Sequence, residues 1–138
     1  MMLKLNVFIT DDSAIVRERL VAMVSALPGI TVVGQAQDGL EAVDAIRRTR
    51  PDVVILDIRM PGRNGIDVLH RLKKTQPAPK VIMLTNYAHR QYREKCEAAG
   101  ADFFFDKSAE FDQIPQALEQ VRHGLRGEPG AGIPNSAG

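Results

Sequence analysis

The chain has 138 residues, 44% of them hydrophobic and 25% charged, with a formal net charge of +1. That is the size and balance of one soluble globular domain with a full core, and a charge so near zero argues against nucleic acid or a membrane as a direct partner. One cysteine, Cys96, excludes an internal disulfide and a cysteine zinc cluster; with no bilayer-length apolar stretch and no secretory signal, a cytoplasmic protein is expected.

The run Leu5-Asn6-Val7-Phe8-Ile9-Thr10 predicts a strand over 5–10 that ends on Asp11 and Asp12. Val16, Leu20, Met23, Val24 and Leu27 then recur at helical spacing until Pro28-Gly29 stops them. A second strand is predicted over 31–37. Asp38 and Glu41 have the spacing of a capping box, opening a helix that carries Ala42, Ala45 and Ile46 inward and ends before Pro51. Val53-Val54-Ile55-Leu56 gives a strand over 53–57, apolar throughout as a doubly covered central strand should be, and closing on Asp57. Asn64 caps a third helix with Ile66, Leu69 and Leu72 on its buried side. A strand over 80–85 ends at Thr85. Tyr92, Cys96 and Ala99 stripe a fourth helix, which Gly100 suits as its C′ residue. A strand over 102–106 leads to Lys107. Pro115 sets the start of a fifth helix near Asp112, with Ile114, Leu118, Val121 and Leu125 inward. Residues 1–125 read as the folded domain and 126–138, rich in Gly and Pro without periodicity, as a flexible tail.

Alternation of strands and helices with short connections implies α/β architecture, a doubly wound parallel sheet with helices on both faces. In such sheets ligands bind at the carboxyl ends of the strands. If the first and third runs are neighbours, Asp11, Asp12 and Asp57 meet there. Two carboxylates ~4 Å apart repel by about 4 kcal/mol at an effective dielectric of about 20, so three together need a proton, a basic side chain or a hard cation. An all-oxygen donor set favours Mg²⁺ or Mn²⁺ over zinc. Thr85 and Lys107 add a hydroxyl and an ammonium at the same edge, the donors a phosphoryl group requires. Any one of these residues alone is an ordinary loop residue; five closing the strands of one sheet point to phosphoryl chemistry.

Other chemistries find no support. No glycine-rich turn, P-loop or nucleophile elbow follows a strand. His70, His89 and His123 fall in helical patterns and read as solvated helix residues, as do Arg47-Arg48 and Lys73-Lys74, while Cys96 reads as helix core.

Thr10-Asp11-Asp12-Ser13, the run Leu56 to Gly65, Leu84-Thr85 and Asp106-Lys107-Ser108 together resemble the receiver domain of two-component response regulators, from Leu3 to about Leu125. Asp38-Gly39-Leu40-Glu41-Ala42 is also similar to that family's loop after the second strand. The resemblance implies a flavodoxin-like fold with strand order 2-1-3-4-5. It implies Asp57 as acceptor of a phosphoryl group from a sensor histidine kinase or a histidine phosphotransfer protein. It implies a Mg²⁺ site, with Mn²⁺ as a substitute, from Asp12, Asp57 and the backbone carbonyl of Arg59, with Asp11 helping through water. Lys107 and Thr85 would contact phosphoryl oxygens, and Thr85 and Phe104 would form the switch pair. One or two of Phe103, Phe104 and Phe105 also belong to the core. The ending of the fifth strand is most similar to receivers that precede helix-turn-helix domains, and the expectation is either a stand-alone receiver or one truncated in its tail from a longer regulator.

Three features depart from the family pattern: Ser108 where many receivers have a cis proline, Asn86 where a smaller residue is usual, and bulky Arg59 and Tyr87 flanking the site. A non-proline cis bond costs ~2.5–4 kcal/mol, so a trans Lys107–Ser108 peptide is expected. Two further readings stay open: a pseudo-receiver that binds partners without phosphorylation, and a phosphatase with an aspartyl intermediate, which would want an Asp where Arg59 stands. The implied role is signalling rather than enzymatic turnover, with a downstream protein partner and homodimerisation on phosphorylation as expectations.

Overall fold

The structure, a computed structural model, describes residues 4–125. The tail expected over 126–138 and the side chain of Leu125 lie outside the described residues. Five strands alternate with five helices: β1 (Leu5–Thr10), α1 (Ala14–Ser25), β2 (Ile30–Ala36), α2 (Gly39–Thr49), β3 (Val53–Leu56), α3 (Gly65–Lys73), β4 (Lys80–Thr85), α4 (Arg90–Ala98), β5 (Phe103–Asp106) and α5 (Ile114–Leu125). The strands form one parallel sheet in the order β2-β1-β3-β4-β5. This is the flavodoxin-like arrangement expected.

Caps explain most of the helix starts. Ser13 accepts from the Val16 N–H at 3.3 Å, Asp38 from the Glu41 N–H at 2.8 Å and Asn64 from the Ile66 N–H at 2.7 Å. At the other ends, α2 closes through Arg50 in the left-handed region (φ 47°), and Gly100 takes φ 100° after α4. A short 3₁₀ turn over Phe111–Gln113 precedes α5, so Pro115 lies in the first α-helical turn, as its missing N–H demands.

Boundaries differ from expectation where turns intervene. β2 starts at Ile30 rather than 31, because Gly29 turns the chain (φ 78°) and accepts the Leu5 N–H at 2.9 Å, bringing Ile30 into register with Leu5. The register then skips a residue: Val7 faces Val32 but Phe8 faces Gly34, leaving Val33 extra on β2. Glycine at 34 follows from the neighbour, since a Cβ there would lie 2.7 Å from the Phe8 ring. Helix α1 ends at Ser25, two residues short of Leu27, which packs on the core from the turn.

The core has two layers. On one face of the sheet, Leu20 and Val24 of α1 and Ile114, Leu118 and Val121 of α5 cover Val7, Ile9, Ile55 and Ile82. On the other, Ala42, Ile46, Val68, Leu69, Leu72 and Cys96 cover Phe8, Val54, Leu56, Val81 and Met83. Strand alternation divides the three phenylalanines: Phe103 and Phe105 join the first layer, Phe104 the second. All three are buried. Cys96 is fully buried, and burial pushes its thiol up to about 11, so it is packing rather than chemistry.

Candidate phosphoacceptor site

The ladder registers bring the expected residues to one edge. Thr10 faces Leu56, so Asp11 and Asp57 follow side by side; Thr85 faces Asp106, placing Lys107 next to them. Backbone bonds hold the edge together: Asp57 N–H to Thr10 O at 3.2 Å, and Lys107 N–H to Thr85 O at 2.8 Å.

The lysine offsets part of the pocket's negative charge. Lys107 Nζ lies 2.7 Å from Asp11 Oδ2 and 3.0 Å from Asp57 Oδ2, and the three side chains are only 10%, 2% and 7% exposed. Each carboxylate's second oxygen is also satisfied, Asp11 Oδ1 by the Ser13 N–H at 2.9 Å and Asp57 Oδ1 by the Ile58 N–H at 2.7 Å. Arg17 steadies the same loop by donating to the Asp11 carbonyl at 2.7 Å.

Burial pushes the Asp57 carboxyl above its ordinary range, against the pull of the Lys107 charge and hydrogen bond; the Asp11 charge adds to the rise and the Thr85 hydroxyl opposes it. For Lys107, burial works to lower the ammonium's value, but the bond to Asp11 and the charges of Asp57 and Asp11 outweigh it and raise it.

Asp12 is exposed, and one carboxylate oxygen from each of Asp11, Asp12 and Asp57 falls within 4.8 Å of the others. Such a set of hard oxygens fits a divalent cation of the Mg²⁺ type.

Thr85 is fully buried, and its Oγ accepts the Tyr87 N–H at 3.0 Å. Tyr87 in turn lies under the Arg59 guanidinium, 4.5 Å from the ring centroid, so the two bulky flanking residues meet each other. Phe104 is 1% exposed and packed inward, with the Arg93 guanidinium 4.8 Å from its centroid. Gln76–Pro77 is the one cis peptide among the described residues, so Lys107–Ser108 is trans. Ser108 takes another role: its N–H and hydroxyl donate to Asp106 Oδ1 at 2.8 and 2.7 Å, closing a turn and lowering the Asp106 carboxyl.

Two positioning residues escaped sequence reasoning. Gly65 brings the start of α3 against the backbone of the acidic strand end: its N–H donates to Ile58 O at 2.7 Å, and a Cβ there would lie 1.9 Å from the Asp57 carbonyl oxygen. Gly39 does the same for the following loop, where a Cβ would lie 2.5 Å from the Arg63 carbonyl oxygen. Their only sequence signal is a glycine at the start of a helix, next to a capping residue.

The response regulator receiver domain model matches residues 7–119. A protein-glutamate methylesterase/protein-glutamine glutaminase of Alkalilimnicola ehrlichii is 35% identical over 98% of this chain and 37% of its own length. The response regulator GacA of Pseudomonas aeruginosa is 33% identical over 88% of this chain and 57% of its own. Among solved structures, the CheX–CheY–BeF3–Mg complex of Borrelia burgdorferi matches with TM-score 0.79 and 29% identity, covering 86% of this chain and 90% of that one.

The fold and site are those of a phosphoacceptor signalling domain. The chain belongs to the receiver domain family of two-component response regulators. It spans 22% to 61% of the length of these and other curated relatives it matches, and those relatives carry different activities. No helix among the described residues is long and apolar enough to cross a membrane.

Proposed function

We propose that Asp57 accepts a phosphoryl group from a phosphohistidine on a sensor kinase or histidine phosphotransfer protein, and that the modified domain presents an altered surface to a downstream protein or to a second copy of itself. The observation that carries this reading is the single ammonium of Lys107 shared between Asp11 and Asp57, 2.7 and 3.0 Å away. A pseudo-receiver has no use for a buried carboxylate pair held this way.

In the transfer, an Asp57 oxygen bonds to phosphorus as the P–N bond of the donor breaks, and the leaving imidazole takes up a proton. Asp11, Asp12, Asp57 and the Arg59 carbonyl would hold Mg²⁺, or Mn²⁺ in its place, which when bound supplies positive charge against the incoming phosphoryl oxygens. Lys107 exchanges an Asp57 oxygen for a phosphoryl oxygen. Thr85 donates its hydroxyl to another. Because Thr85 Oγ accepts the Tyr87 N–H in the resting geometry, turning that side chain toward phosphate releases the loop that leads into α4. Phe104 is already inward, with the Arg93 guanidinium of α4 over its ring. The charge event thus reaches the surface through two named contacts.

Intact-mass analysis after incubation with acetyl phosphate tests the assignment. One phosphoryl group is expected on the wild type, none on Asp57→Ala, and none in EDTA. Labelling of the variant, or labelling indifferent to chelator, would refute it; continuous turnover of the donor would instead favour a phosphatase.

The Arg59–Tyr87 stack bears on lifetime. Arg59 lies two residues beyond Asp57 and Tyr87 two beyond Thr85, and both side chains are exposed, so we assign the stack a part in limiting water's in-line approach to phosphorus. An exposed cation–π pair is worth ~0.5–1 kcal/mol, so Arg59→Asn or Tyr87→Glu is expected to speed loss of phosphate by roughly two- to fivefold. Unchanged decay of the labelled species in both variants would show that the stack does not gate water.

A further inference from the structure

A second concave site lies away from the acidic edge, between α2 and α3. It is a cleft of about 480 Å³ lined by Arg47 of α2, Arg63 of the loop before α3, and Asp67, His70, Arg71, Lys74 and Thr75 of α3 and its end. The helical repeat makes the cleft: 67, 70, 71 and 74 fall on one face of α3. The backbone of Arg63 is set against the start of α2, so closely that a Cβ on Gly39 would lie 2.6 Å from Arg63 Cβ.

Several surface cations are paired, whereas those of this cleft are gathered around one concavity without a partner among the described residues. Arg48 pairs with Asp44, Lys73 with Asp102, Arg90 with Glu94 and Arg122 with Glu119. Among the described residues, Arg47, Arg63, Arg71 and Lys74 have no carboxylate within 4.0 Å, although Asp67 lies in the same cleft. Cations gathered around a concavity and left unpaired repel one another, and an anion placed among them removes that cost.

We propose that the α2–α3 cleft binds a compact anion carrying two linked phosphoryl groups. Guanidinium groups match phosphate oxygens in bidentate geometry, which a single carboxylate side chain uses less fully, and three arginines around one cleft favour more than one phosphoryl group. The volume is that of a small-ligand site. The lining offers no aliphatic, Phe, Tyr or Trp side chain of the kind that anchors a protein partner, which counts against an acidic peptide. The diphosphate can be free or part of a nucleotide. This site is independent of phosphorylation at Asp57.

The test is a ¹⁵N NMR titration of the full chain with inorganic pyrophosphate, without Mg²⁺, at about 0.15 M salt to screen loose association. Saturable shifts are expected at the amides of Arg47, Arg63, Arg71 and Lys74, with affinity roughly tenfold or more above that for orthophosphate. The Arg47→Gln, Arg71→Gln double variant is expected to bind roughly tenfold more weakly while keeping the dispersed spectrum of a folded domain, since both side chains are exposed. Arg47→Lys, Arg71→Lys should retain intermediate affinity. A parallel titration with ADP separates the sources: affinity at least equal to pyrophosphate marks a nucleotide, weaker affinity a free diphosphate. Shifts that grow without saturating, that survive the double Gln substitution, or that a poly-glutamate peptide produces at lower concentration would overturn the proposal.

Discussion

Replacing Gly65 with alanine is expected to destabilise the domain by about 3 kcal/mol, an unusually large effect for adding one methyl group. A Cβ at this position would lie 1.9 Å from the Asp57 carbonyl oxygen and 2.9 Å from Ile58 Cα, both backbone atoms. No rotamer change can relieve such a clash. The start of α3 must retreat, and the 2.7 Å bond from the Gly65 N–H to Ile58 O is lost with it. Urea unfolding followed by circular dichroism measures the shift in midpoint. Gly124→Ala is the control: nothing lies within 4 Å of its added Cβ, so a change within about 0.5 kcal/mol of wild type is expected. If Gly65→Ala unfolds at the wild-type midpoint, the contact does not hold the loop. Where the variant folds, its phosphorylation should also slow, because the displaced backbone carries Asp57 and the Arg59 carbonyl.

Lys107→Met should cost about as much, ~3 kcal/mol near neutral pH, because breaking a buried ion network leaves charge without compensation. Lys107 is the ammonium that separates Asp11 from Asp57, and both carboxylates are nearly inaccessible to water. The pH dependence fixes the sign. In the wild type the Lys107 ammonium, raised by its partners, contributes stability that is present below its unfolded value and is lost only as alkali titrates it through its folded value. Asp57, raised by burial, favours the folded state at low pH, and that contribution is lost as pH rises through its folded value. Removing the lysine removes the main force opposing that rise. The variant's deficit should therefore be largest at neutral pH and shrink as acid supplies a proton to the carboxylate pair. Added Mg²⁺ should recover part of the neutral-pH loss. A deficit that is flat from pH 8 to about 5 would show that the carboxylates are not coupled through Lys107.

The chemistry of the site was more legible in the sequence than its mechanics. Asp11, Asp57, Thr85 and Lys107 each end an apolar run, and parallel pairing alone then carries them to a common edge. Helix starts were visible because Asp38 and Asn64 are good caps, and the inward stripes were visible from their spacing; Val68, equally buried, fell between the residues chosen for α3. What stayed hidden depends on which backbone approaches which. The contact of Gly65 with Asp57 is set by the path of a loop, and that of Gly39 with Arg63 joins segments 24 residues apart, so neither leaves a periodic trace. The β2 register is similar: a skipped residue at Val33 has no signature beyond the small glycine beside Phe8. Arg59 and Tyr87 were recognised as neighbours of the site, but only the fold stacks one upon the other.

The skipped residue on β2 also bears on which surfaces of the domain are open to another chain. An open sheet has two borders with unsatisfied backbone groups, each a template onto which a foreign strand can add. Here one border is β2, whose extra residue at Val33 breaks the even spacing of its ladder and increases local twist. The other is β5, only four residues long. Neither border offers a long, flat template for another chain, so the sheet resists fibrous growth. A second copy or a partner would therefore meet the domain on its helical faces, where contact can be made and broken without adding strands.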